Sequence, residues 1–119
     1  MLEMEQFKQD LAAVRTSIEE VGQALDIERL KEQLMEYQED MASNGFWDDM
    51  ERAQKINQRA HGVEERLNHF KSLNDRADDI EAMMELAEEA DDHDMAAEIQ
   101  AEFTAIKADV EQLRLTKCF

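Results

Sequence analysis

Apolar residues recur at alternating steps of three and four through almost the whole chain, and no proline interrupts them. Met4, Phe7, Leu11, Val14, Ile18, Val21 and Leu25 form the first such run, and Ile27, Leu30, Leu34, Tyr37 and Met41 form the second. Ala53, Ile56, Ala60, Val63, Leu67 and Phe70 form a third, which Ala77, Ile80, Met84 and Ala87 resume. Ala96, Ile99, Phe103, Ile106, Val110 and Leu113 close the series. A three-four step keeps side chains on one stripe of a helix, and a stripe this narrow faces a partner helix.

The spacing predicts an all-α fold: antiparallel helical hairpins in a coiled-coil-like bundle of about four helices, over roughly 3–25, 27–42, 49–90 and 94–116. One domain, 1–119, is expected. Its long third helix has only weak points inside it, at Gly62 and at Ser72-Leu73-Asn74-Asp75, where Asn74 occupies an apolar slot. A stutter of that kind changes supercoiling locally. A kink is expected near Leu25-Asp26, with Asp26 capping the second helix and Gly22 weakening the end of the first.

Two reversals connect the helices. Asn44-Gly45 is a strong turn dipeptide, and Asp48 is expected as the N-cap of the long helix. Phe46 and Trp47 then stand just before that cap, where Trp47 is expected to be buried against Met50 and Ala53 as a hydrophobic staple. Asp91-Asp92-His93-Asp94 is the second reversal, with Asp92 or Asp94 as the next cap. Short connections of this kind make antiparallel neighbours.

Thirteen Lys and Arg stand against thirty Asp and Glu, a formal charge of −17. Binding a phosphate backbone rests on cations that displace counterions, so no direct nucleic-acid binding is expected. The charge is uneven. Six basic residues lie between Arg52 and Arg76, and none between Ala77 and Ile106. Asp78, Asp79, Glu81, Glu85, Glu88 and Glu89 on that acidic stretch form the candidate docking face for a basic partner.

Nothing in the pattern points to catalysis, a metal or a cofactor. Carboxylate-bridged metal sites in helical bundles use Glu-x-x-His pairs. Here Gln58, Arg66 and Ala90 stand three residues before His61, His69 and His93. Asp91-Asp92-His93-Asp94 does not alternate ligands along a Gly-containing loop as calcium sites do. Three isolated glycines make no phosphate-cradling loop. A lone Cys118 forms no intramolecular disulfide, and with no apolar run long enough for a membrane span the chain is expected in the cytoplasm, as a monomer or weak coiled-coil dimer.

Two segments carry a resemblance. Asn44-Gly45-Phe46-Trp47-Asp48-Asp49-Met50-Glu51-Arg52-Ala53-Gln54-Lys55 opens the long helix, and Met84-Glu85-Leu86-Ala87-Glu88-Glu89-Ala90-Asp91-Asp92 ends it. In this order the chain resembles the N-terminal domain of bacterial class I peptide chain release factors of the release factor 2 type. In that family a Ser-Pro-Phe tripeptide helps read the stop codon and a Gly-Gly-Gln loop reaches the peptidyl transferase centre. This chain holds no Pro and no adjacent Gly pair. The resemblance therefore implies a fragment that docks on the ribosome near the stalk base through the whole factor, without hydrolysis of its own. Cys118 stands where the family is more usually aliphatic. The competing expectation is an autonomous acidic coiled-coil adaptor with no link to translation; a reading frame continuing past Phe119 to a Gly-Gly-Gln motif separates the two.

Overall fold

A computed structural model describes residues 4–116. Cys118 and the expected helix start at Glu3 lie outside them. The described residues form four α-helices and one short 3-10 turn, with no strand among them. Helix α1 spans Met4–Leu25, α2 Ile27–Met41, α3 Met50–Ala90 and α4 Met95–Thr116. The all-α expectation of about four helices holds.

Aspartates make two of the three junctions between helices. Asp26 sits in the left-handed region at φ 55 and its carboxylate accepts from the Arg29 N–H. It thus ends α1 and caps α2 in one residue, which is the kink expected there. Asp91, at φ 48, ends α3. Its N–H reaches the Glu88 carbonyl while the Asp92 N–H reaches that of Ala87, the paired bonds of a Schellman closure. The Asp92 carboxylate accepts from the Asp94 N–H at 3.0 Å, which shapes the turn rather than capping the first turn of α4.

The molecule is long, 65 × 25 × 19 Å. Its organising element is α3, unbroken through Gly62 and Asn74, at neither of which it bends out of helical geometry. The Asn74 side chain donates to the Phe70 carbonyl at 3.2 Å, so the polar residue in the apolar seam is satisfied within its own helix. Lys8 beside Glu88, Arg15 beside Asp78 and Arg52 beside Asp40 show that α1 and α2 run in line, antiparallel to α3.

Helix α4 returns along only the second half of α3. One end is therefore a three-helix bundle and the other a two-helix arm of α2 and the first half of α3. The continuous core belongs to the bundle: Phe7, Ile18, Leu73, Ile80, Ile99, Phe103, Ile106 and Leu113 are all buried there. Phe7 and Phe103 stack with centroids 5.8 Å apart. Along the arm fewer side chains are fully enclosed, chiefly Leu30, Ala53, Ala60 and Val63.

Candidate docking surfaces

The tip of the arm corrects two expectations. Gly45, at φ 79, turns the chain, and Phe46–Asp48 then form a single 3-10 turn closed by the Asp48 N–H on the Gly45 carbonyl. That bond uses Asp48 in the turn, so Asp49 and not Asp48 is the N-cap of α3, its carboxylate accepting from the Arg52 N–H at 3.2 Å. The inserted turn also exchanges the aromatics. Phe46 is 4% exposed and Trp47 54%, so Trp47 is not the buried staple. Trp47 instead meets the Phe46 ring edge-on, with centroids 4.9 Å apart. Met50, expected beneath it, is exposed as well.

Arg52 closes this tip. Its guanidinium lies 5.6 Å from the centre of the Phe46 ring and donates to Asp40, at the end of α2, at 2.5 Å. One side chain thereby ties the two helices of the arm and covers its buried aromatic.

The six acidic residues fall into two sets. Asp78, Glu81, Glu85 and Glu88 recur at steps of three and four, which places them on one side of α3, beside α1. Glu81, Glu85 and Glu88 rim a groove of about 410 Å³ between the two helices, with Met84 and Leu11 in its floor. Arg15 of α1 reaches Asp78 at 3.0 Å and Glu81 at 3.7 Å, and Lys8 reaches Glu88 at 3.7 Å. Asp79 lies off this side, seven residues from the exposed Leu86. Glu89 follows Glu88 at the outer edge and is exposed. The acidic stretch is therefore partly balanced by α1, a pairing that sequence reading missed because Lys8 and Arg15 are distant along the chain.

Among the described residues, no group of three or more His, Cys, Asp and Glu side chains is arranged to hold a metal ion. No described helix is long and apolar enough to cross a membrane.

A long helical domain whose distinguishing chemistry lies in a charged surface and an aromatic tip is what these features define. Residues 30–119 match the PCRF domain, and the chain belongs to that family. It is similar to peptide chain release factor 2 of Clostridium perfringens (strain SM101 / Type A), 34% identical over 115 residues, covering 97% of this chain and 31% of the relative. Peptide chain release factor 2 of Kineococcus radiotolerans is 29% identical over 109 residues, covering 92% of this chain and 30% of the relative. That of Lactiplantibacillus plantarum is 30% identical over 114 residues, covering 96% and 30%. The chain thus spans about 30% of the length of the curated relatives it matches. The resemblance carried by the Asn44–Lys55 and Met84–Asp92 segments is borne out.

Proposed function

We propose that this chain is the ribosome-docking domain of a cytoplasmic translation-termination factor, contributing to association and orientation while the remainder of the factor performs stop-codon-dependent peptide release. The observation that carries this reading is the similarity to release factor 2 proteins over 97% of the chain but 31% of the relative. An adaptor unrelated to translation has no comparable support. The acidic stretch of α3 from Asp78 to Glu89 is the docking face, and its partner lies at the stalk base of the ribosome. Remote binding energy of this kind acts on encounter and positioning, not on the bond-breaking step.

The test separates the face from the fold. Asp78, Glu81 and Glu88 hold Arg15 and Lys8, so reversing them would disturb helix pairing. Asp79, Glu85 and Glu89 take part in no ion pair among the described residues, and Lys at these three sites reverses charge without that cost. In a whole factor carrying this domain, the triple reversal should slow association with stop-programmed ribosomes at low salt and leave the hydrolytic step unchanged. An association rate equal to that of the unaltered factor would remove the acidic face from the docking surface. A factor lacking the whole domain that still associates normally would remove the docking function itself.

A further inference from the structure

The negative charge of this molecule is concentrated at one end. Residues 27–72, which build the arm, hold seven Lys and Arg against ten Asp and Glu, a net of −3 out of −17. Within the arm, α2 and α3 enclose an open cleft of about 570 Å³. Gln33 and Tyr37 of α2 line it on one side, and Lys55, Gln58, Arg59 and Arg66 of α3 on the other. No carboxylate lines it, in a chain where acids outnumber bases by more than two to one.

The six basic residues of this stretch are not equivalent. Arg52 is held by Asp40 and Arg76 by Asp109. Lys71 donates to Asp75 at 2.6 Å, and that carboxylate holds its ammonium above the usual lysine range. Lys55 has only a long contact of 3.7 Å to Glu51. Arg59 and Arg66 have no carboxylate within 4.0 Å among the described residues. Both arginines therefore line a cleft that no acid lines, and Arg59 also borders a neighbouring cleft that holds Asp49 and Glu51. At 1.5 Å per residue, Lys55 and Arg59 are about 6 Å apart along the axis, and Arg59 and Arg66 about 10 Å. Gly62 lies between the two arginines, with nothing within 4 Å of where a β-carbon would stand, so the floor between them is open.

We infer that this cleft binds the phosphodiester backbone of RNA. Planar guanidinium groups suit phosphate oxygens, which they engage through two parallel N–H donors. The Gln33 and Gln58 amides and the Tyr37 hydroxyl supply neutral donors and acceptors for sugar and base edges, and the Tyr37 ring offers a stacking face. An acidic protein segment would use the same cations, but as separate point carboxylates rather than a continuous line of phosphates, and it is the competing occupant that the test includes. The inference rests on the ribosome-docking reading, since a ribosome presents RNA as well as protein. It departs from the expectation of no direct nucleic-acid binding, which rests on the net charge of −17.

The experiment titrates the whole chain with a short fluorescein-labelled RNA hairpin across about 50 to 200 mM salt. Poly-glutamate serves as the acidic-peptide probe. Each phosphate contact contributes about 0.7–0.9 to the slope of log K against log salt, so three cations give a slope of about −2 to −3. Arg59→Gln with Arg66→Gln should reduce its magnitude by about 1.5, with an unchanged thermal melt. NMR signals of the Arg59 and Arg66 side-chain N–H groups should shift saturably with RNA. The same loss of slope from Lys8→Gln with Lys107→Gln, which removes equal charge from the bundle, would overturn the inference by making net charge the cause. Equal binding of poly-glutamate, or no arginine shift with RNA, would also overturn it. A whole factor bearing the two arginine substitutions then distinguishes the readings. No hairpin binding by the unaltered chain, together with unimpaired ribosome association by the substituted factor, ends the RNA cleft and leaves docking intact, whereas a domain deletion without effect ends docking.

Discussion

The ring of Phe70 fills the space that a side chain on Gly22 would need. A β-carbon built on Gly22 would lie 2.6 Å from Cε1 and 2.7 Å from Cζ of that ring. Gly22 stands near the end of α1 and Phe70 near the middle of α3, so this contact sets how closely the two helices meet where arm and bundle join.

Gly22→Ala should therefore destabilise the protein, although alanine is the better helix former by about 1 kcal/mol. The overlap forces either ring displacement or helix separation, and overpacking of this kind costs about 1–3 kcal/mol. Phe70 packs against the bundle core, so moving it outwards loses burial as well. A double-mutant cycle with Phe70→Leu should show coupling of about 1 kcal/mol in urea unfolding. Additive effects would mean that the two residues do not constrain each other.

Gly62→Ala should do the opposite. Gly62 lies inside α3 with open space around it and no positive φ. The substitution should stabilise by about 0.5–1 kcal/mol, seen as a higher urea midpoint with an unchanged m-value.

At the tip, Phe46→Ala should cost about 3 kcal/mol, at the lower edge of the range for a buried aromatic. Trp47→Ala should cost about 1 kcal/mol, the scale of an edge-to-face pair with little burial behind it. Trp47 fluorescence should be red-shifted and readily quenched by acrylamide in the native protein. A blue-shifted, protected emission would contradict the exposed ring.

Phe103 is fully buried and stacked on Phe7, so it joins α1 to α4. Phe103→Ala should cost about 3–5 kcal/mol, more than any single truncation in the arm. Hydrogen exchange should show the loss first in α1 and α4. Equal deprotection along α2 would show instead that the molecule opens as one unit.

The isolated chain should release no peptide from stop-programmed ribosomes, because it carries neither a Gly-Gly-Gln nor a Ser-Pro-Phe sequence. Hydrolysis above the uncatalysed rate in a purified release assay would refute this.

The helices were legible because their apolar residues keep a three-four step, and periodicity survives whatever the partner is. Partner choice was not legible. The stripe from Ala53 to Val63 and the one from Ala77 to Ala87 look alike in sequence, yet the first lies along the arm beside α2 and the second in the bundle among α1 and α4. The Phe46-Trp47 pair shows a different limit. Either ring suits a staple, and one 3-10 turn, which moves the cap from Asp48 to Asp49, decides which ring is enclosed. The acidic residues were recognised by composition, but their balancing partners Lys8 and Arg15 come from a helix some seventy residues away. The six basic residues from Arg52 to Arg76 were legible in sequence, but which of them carboxylates hold was not, because Asp40 and Asp109 are distant along the chain.

Helix α3 is one piece of 41 residues, about 60 Å long, and it belongs to the arm and the bundle alike. No linker divides the two ends, so the molecule acts as a ruler. A partner that contacts both ends meets them at a set spacing and angle, and its second contact forms at a high effective concentration when its own geometry matches. A partner whose sites stand at another separation gains one contact only, because α3 has no joint with which to accommodate it.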